Sequence, residues 1–258
     1  MGYSLNNMVA IITGGGSGIG KSIAELFADK KARVYILEID KKRGLAVQNE
    51  ILENNNFGQF YHCDVSDETS IKAAVNNVLD AEKRIDILVN NAGISHIGTI
   101  EQTTSSDLDR VYNANVKSVY LTTKHVIGAM VKNGGGTILN LASIVAKVGV
   151  DERFAYSMSK GAVLAMTLSI AKDYIGENIR CNCICPARVH TPFVDDYLKK
   201  NYAGKENEVF DKLSTFQPIG RMGQPDEIAQ LALFLCSDAS SFITAAAYDI
   251  DGGVVNLR

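Results

Sequence analysis

A short apolar run, Met8 to Thr13, leads directly into Gly14-Gly15-Gly16-Ser17-Gly18-Ile19-Gly20, and a segment with helical apolar spacing at Ile23, Ala24, Leu26 and Phe27 follows. No other stretch constrains the fold as tightly. Glycine-rich turns also close ordinary strand-to-helix units. Strand, glycine turn and helix in immediate succession, however, form the context that a dinucleotide-binding loop requires. Glycine lets the backbone approach a pyrophosphate closely, and the following helix N-terminus supplies unpaired N–H groups and positive potential. Gly14, Ser17, Gly18, Ile19 and Gly20 are therefore the expected cofactor loop.

Further along, apolar runs predict strands at Arg33–Leu37, Phe57–Cys63, Ile85–Val89, Thr137–Leu141, Ile179–Ile184 and Ala246–Ile250. Helical spacing predicts helices over Asp67–Glu82, Asp107–Lys132, about Phe154–Tyr174 and Asp226–Leu235, and Lys41 to Arg43 open another. Alternating strands and helices imply one α/β domain, residues 1–258. It is a doubly wound parallel sheet (Rossmann fold) of about seven strands, with helices on both faces. Ligands in such sheets bind beyond the C-terminal strand ends. Glu38, Asp64 and Val65, Asn90 to Gly93, Ser143 and the Pro186 to Thr191 loop all follow predicted strands and so converge on one edge. Glu38 lies about 20 residues beyond the glycine loop, where a carboxylate can accept hydrogen bonds from ribose hydroxyls and repel a 2′-phosphate. This favours NAD, although Lys41 to Arg43 stand close by. Asp64 and Val65 mark where an adenine would lie.

Tyr156 and Lys160 are four residues apart on a predicted helix and so share a face. A free phenol has a pKa near 10; a cation on the same face favours the phenolate and draws that value toward the working range. Ser143 could place a hydroxyl beside the phenol to hold a substrate oxygen. Tyr-x-x-x-Lys alone occurs by chance on many solvated helix faces, and its weight here comes from the dinucleotide loop at the start of the chain.

Of the 258 residues, 46% are hydrophobic and 21% charged, which describes a soluble globular protein with a sizeable core. The net charge of −3 and the lack of a basic stretch longer than Lys41-Lys42-Arg43 argue against nucleic acid. Met1 to Asn7 is neither basic nor followed by a long apolar run, so no signal peptide or membrane span is expected, and a cytoplasmic location is the default. Five cysteines suit reduced thiols. Cys181, Cys183 and Cys185 alternate as on one strand face; they lack the further ligands a metal needs and are expected to be core residues.

The chain resembles the short-chain dehydrogenase/reductase family over essentially its whole length. The resemblance rests on Thr13-Gly14-x-x-x-Gly18-x-Gly20, Asn90-Asn91-Ala92-Gly93, Asn115, Ser143, Tyr156-x-x-x-Lys160 and the Pro186 to Thr191 loop. It implies Tyr156 as general acid/base and Ser143 as the residue orienting the substrate oxygen. Lys160 would tune the tyrosine and hold the nicotinamide ribose, and Asn115 would support a proton-relay water. Asn91, Ala92, Gly93, Pro186 and Val189 would border the cofactor, and Thr191 would meet its carboxamide. Three positions depart from the pattern: Ala142 for a common second serine, Ala187 for the usual glycine after the proline, and Ala245 for a common glycine.

A narrower resemblance, carried mainly by Pro186-Ala187-Arg188-Val189-His190-Thr191-Pro192-Phe193 and less by Gln217 to Gly223, is to the branch acting on 2-keto-3-deoxy-L-fuconate and related compounds, or on L-fucose. It implies a small hydroxy or keto acid substrate under a lid at about 190–216. Arg153 and Arg188 would anchor its carboxylate, and Ser95 and His96 would meet its hydroxyls. The rivals are a 3-hydroxyacyl, hydroxybutyrate or sterol dehydrogenase, which a lid of large apolar residues would favour, and a cofactor-sensing protein without chemistry. The family also implies a homotetramer through residues 107–132, 155–174 and the C-terminal segment. Apolar Val119, Leu164, Met166 and Leu168 could serve either that interface or the core.

Overall fold

In the computed structural model, which describes residues 3–257 and for Phe193 and Asn201 the backbone alone, β1 (Val9–Thr13) is an inner strand of the sheet, buried along its full length. Its neighbours are β2 (Arg33–Glu38) and β4 (Ile87–Asn90), and both pair with it in parallel. The seven-stranded order is β3-β2-β1-β4-β5-β6-β7, with β3 at Phe57–His62, β5 at Gly136–Leu141, β6 at Ile179–Pro186 and β7 at Ala247–Ile250. All neighbouring strands are parallel, so the molecule is a single-domain Rossmann-like α/β fold. The order reverses between β1 and β4, where a crevice opens beyond the strand ends.

Alternate residues of the inner strands feed two helical layers. Ala10, Ile12, Val34 and Ile36 pack with α1 (Gly18–Asp29), α2 (Lys41–Glu53) and α9 (Pro225–Cys236) through Phe27, Ile51 and Leu233. Val9, Ile11, Tyr35 and Leu37 pack on the other face with α3 (Glu68–Glu82), α5 (Ser118–Lys132) and α6 (Phe154–Tyr174) through Ile71, Leu121 and Ala171. Burial on both faces is why these strands read as continuous apolar runs. Each fully buried aliphatic side chain contributes roughly 1.5–3 kcal/mol relative to exposure. Asp40 and Asp67 cap α2 and α3, each accepting two N–H bonds at 2.9–3.1 Å.

Strand boundaries differ from the sequence expectation by one or two residues. Ile85 and Asp86 precede β4, and Asp86 instead accepts the Val9 N–H at 2.8 Å while paired with Arg84. The larger difference lies in the helix expected over Asp107–Lys132. It is interrupted: α4 (Ser105–Tyr112) runs into a π-helical turn at Asn113–Lys117 before α5 begins. The lid segment, for which no helix was predicted, carries α7 (Pro192–Asn201) and α8 (Glu206–Thr215). Cys181, Cys183 and Cys185 are free and buried, as expected. Val119 is core packed beside Cys183 and Cys185, with Leu164 and Met166 partly buried against that cluster, whereas Leu168 stays 46% exposed. Among the described residues no helix is long and apolar enough to cross a membrane.

Ala245 adopts φ +57° while its N–H donates to the Cys181 carbonyl at 2.8 Å. This accounts for the glycine common at that position in the family the sequence resembles. A left-handed L-residue costs roughly 1–2 kcal/mol, of which glycine's extra unfolded freedom returns roughly 0.5–1. Ala245→Gly should therefore stabilise the protein by about 0.5–1 kcal/mol, raising Tm by about 1–4 °C in a thermal melt. An unchanged or lower Tm would contradict this.

Candidate active site

The cofactor cradle is built from backbone. Gly14 and Gly18 hold φ values of +64° and +52°, and a Cβ on Gly20 would sit 2.2 Å from the Gly14 carbonyl oxygen. Ser17, at the N-cap of α1, makes no side-chain capping bond. The first-turn N–H groups are thus left for an anion. They face a cavity of about 800 Å³, bordered by Gly14, Ser17, Gly18, Ile19, Glu38, Asp64, Val65, Asn91, Ala92 and Gly93. These features fit a dinucleotide with its pyrophosphate at the helix start.

Glu38 borders that cavity while its carboxylate accepts the Gly16 N–H at 3.0 Å and the Asp40 N–H at 3.1 Å. It therefore shapes the loop as well as facing the ribose position. Asp64 Oδ1 accepts both the backbone and hydroxyl of Ser66. Asn91 Nδ2 donates to the Thr13 and Gly14 carbonyls at 3.0 Å each, and Thr13 Oγ1 accepts the Asn91 and Ala92 N–H groups. The Asn90 to Gly93 segment is thereby fastened to the glycine loop.

A second cavity of about 540 Å³ lies over the ends of β5 and β6. Ser143, Tyr156 and Lys160 border it, as do Pro186, Val189 and Thr191 from the loop after β6. Burial pushes the Tyr156 phenol above its ordinary value of 10, opposed by a hydrogen bond with Ser143 and by the charge of Arg153. Lys160 borders the same cavity from the same helix. Its Nζ donates to the Leu141 carbonyl at 2.7 Å and lies 5.7 Å from the Tyr156 ring centroid. Burial pushes Lys160 down to about 8.

The π turn carries Asn115 inward. Its Oδ1 accepts the Ile94 N–H at 2.7 Å, and its Nδ2 donates to the Ile94 carbonyl and to Ser159 Oγ. The side chain thus clamps the loop after β4.

The four expected substrate residues, Ser95, His96, Arg153 and Arg188, all border this second cavity. Arg153 donates to the Glu152 carbonyl, not to an acidic side chain, and the Arg188 guanidinium carbon lies 5.0 Å over the Phe216 ring. His96 Nε2 lies 3.6 Å from Asp107. Three further wall residues escaped sequence reading: Arg110 from α4, Tyr197 from α7 and Phe216 after α8. Arg110 and Asn115 are five residues apart, which a continuous α-helix would separate by about 140°. No periodic pattern therefore links them. A half-buried phenol that shares a cavity with a serine hydroxyl and a lysine, beside a dinucleotide cradle, can exchange a proton with a substrate oxygen next to a hydride carrier.

A family model described as enoyl-(acyl carrier protein) reductase matches residues 14–255. An uncharacterised oxidoreductase of Bacillus subtilis is 37% identical over 97% of this chain and 92% of its own length. The 3-oxoacyl-(acyl-carrier-protein) reductase of Chlamydia pneumoniae is 36% identical over 98% of this chain and 99% of its own. Among solved structures, L-sorbose reductase from Gluconobacter frateurii, complexed with NADPH and L-sorbose, superposes with a TM-score of 0.95 at 29% identity, covering 99% of both chains.

Lys160 supplies a pH signature of the ligand-free site. The native amine binds its proton up to about pH 8, whereas the unfolded chain keeps it to 10.5. Between those values the unfolded state binds more protons, so this group's contribution to stability rises with pH. Urea titrations of the wild type and Lys160→Met at pH 7 and pH 10 should show the wild type gaining about 2 kcal/mol relative to the variant at the higher pH. Parallel pH dependences would contradict the buried ammonium.

Proposed function

The chain belongs to the short-chain dehydrogenase/reductase family and is an oxidoreductase of alcohols or ketones, and we propose that it acts with NAD on a small hydroxy or keto-deoxy sugar acid. The observation that carries this reading is that Ser143, Tyr156 and Lys160 border one cavity walled also by Arg153 and Arg188. The nicotinamide, when bound, supplies or accepts the hydride. Tyr156 takes the proton of the substrate hydroxyl as hydride leaves the same carbon, and returns it in the reverse direction. Ser143 donates a hydrogen bond to that oxygen.

Lys160 leaves the Leu141 carbonyl to reach the nicotinamide ribose and favours the phenolate from there. Thr191 meets the carboxamide. Glu38 sets the preference for NAD, because a carboxylate repels a 2′-phosphate and not a free hydroxyl. A guanidinium at Arg153 or Arg188 suits a carboxylate by donating two parallel hydrogen bonds. The helices α7 and α8 form the lid over the substrate. The apolar surface left at Leu168 and Tyr120, 46% and 51% exposed, serves a homotetramer.

One observation favours a second reading, a 3-hydroxyacyl dehydrogenase. Lid residues bordering the cavity include Val194, Leu213 and Phe216, while Asp196, Lys199 and Lys200 are exposed. An apolar inner lid suits an acyl chain.

A panel of sugar acids, neutral sugars, 3-hydroxybutyrate and a 3-oxoacyl thioester, assayed with NAD and NADP, separates these readings. The sugar acids with NAD should give the highest kcat/KM. Tyr156→Phe should abolish turnover while leaving NADH binding intact. Arg153→Met or Arg188→Met should lower kcat/KM for the acid roughly 30-fold or more, with KM for NAD unchanged. Faster turnover of neutral sugars or of the thioester would overturn the sugar-acid reading.

A further inference from the structure

The loop after β6 carries a histidine, His190, that is not among the described residues lining either cavity. Its backbone belongs to the frame of the domain. The His190 N–H donates to the Gly223 carbonyl at 2.8 Å, and the Gly223 N–H donates to the Arg188 carbonyl at 2.9 Å. Val189 bridges Gly223 in parallel and is itself part of the core that holds β1 and α9. Gly223 directly precedes Gln224, the N-cap of α9. The sheet and α9 therefore fix where His190 stands.

Its side chain reaches the other way, onto the lid. Nε2 lies 2.9 Å from Asp195 Oδ1, in the first turn of α7. An ionised carboxylate only accepts, so Nε2 is the donor. The imidazole also packs edge-on against Phe210 of α8, with centroids 5.0 Å apart and planes at 76°. One ring thus touches both helices. Those helices wall the substrate cavity, through Val194 and Tyr197 from α7 and Leu213 from α8. Asp195 adjoins Val194, and Phe210 precedes Leu213 by three residues, on one helix face. Either contact is therefore within one turn of a wall residue. The outer positions Asp196, Lys199, Lys200, Asp211 and Lys212 are exposed, which leaves attachment to the inner residues.

Resting on the reading above that α7 and α8 cover the substrate, we propose that His190 is a positioning residue for the reaction, pinning both lid helices to the end of β6. The two contacts divide the task. The Nε2 donor holds α7, and the ring face holds α8. Thr191, the next residue and the N-cap of α7, borders both cavities, so the wall that His190 steadies begins beside the expected nicotinamide contact.

Hydrogen exchange, read by mass spectrometry, is compared for the wild type, His190→Ala, His190→Gln and His190→Phe. Each is loaded with whichever of NADH and NADPH binds more tightly. In His190→Ala the amides of α7 and α8 should exchange about tenfold faster or more, while the strands and α9 stay unchanged. Glutamine keeps a donor where Nε2 stood and should restore α7 alone. Phenylalanine keeps the ring and should restore α8 alone. Acrylamide quenching of the bound dinucleotide's fluorescence should rise in His190→Ala, with dinucleotide affinity unchanged. Leu198→Asp, which places a charge at a position of α7 only 4% exposed, should raise the quenching independently of His190.

Unchanged exchange of α7 and α8 in His190→Ala, or acceleration spread over the whole sheet, would overturn the proposal. So would rescue of both helices to the same extent by glutamine and by phenylalanine, because donor and ring would then have no separate tasks. If Leu198→Asp raises the quenching and His190→Ala does not, the lid reading survives and the pin is lost. If neither raises it, α7 and α8 do not cover the site and both fail.

Discussion

Two hydrogen bonds from the Asn91 side-chain amide, to the Thr13 and Gly14 carbonyls, fasten the sheet where its strand order reverses. Everything in the site is measured from this junction. It fixes the glycine loop against the end of β4. It also explains why Gly20 cannot carry a side chain, because a Cβ there would lie 2.5 Å from the same amide nitrogen. Beneath it runs a buried polar chain, with Asn90 Nδ2 donating to Asn140 Oδ1 and Asn140 Nδ2 to Thr167 Oγ1. That chain ties β4 to β5 and β5 to the helix bearing Tyr156. Buried amides need such partners, so register and site position are set together.

The catalytic face departs from a simple proton relay in one respect. In the ligand-free protein, burial dominates both ionisable groups: it pushes Tyr156 up and Lys160 down to about 8. Both influences favour neutral groups, and Lys160 is meanwhile engaged with the Leu141 carbonyl. The site is therefore assembled but not tuned. A nicotinamide cofactor held by the glycine loop would supply what is missing: Lys160 would turn to its ribose, and the oxidised ring's charge would favour the phenolate.

Much of this was legible in the sequence because its physical causes are local. Strands buried on two faces read as apolar runs, the glycine loop needs residues without a Cβ, and Tyr156 and Lys160 share a face at four-residue spacing. The π turn at Asn113–Lys117 was not legible. It inserts without glycine or proline and is held by tertiary bonds from Asn115 to Ile94 and Ser159, two elements remote in sequence. The lid helices escaped because their polar, charged surfaces resemble a loop insert. Arg110, Tyr197 and Phe216 belong to the site only through packing, and no spacing rule reaches across three elements. The pull of Lys160 on the phenol was expected from spacing alone. Its competition with burial and with a backbone carbonyl required the folded environment.

The central claim is that Tyr156 is held protonated by burial and is released toward phenolate when the cofactor loads. Ultraviolet difference titration of tyrosinate, wild type minus Tyr156→Phe, isolates this phenol from the other nine of the chain's 10 tyrosines. Performed with and without saturating NAD, it should show the phenolate appearing at a distinctly lower pH in the complex than in the free protein, where it stays above 10. The same midpoint in both states, or a free-protein midpoint already near neutrality, would contradict it.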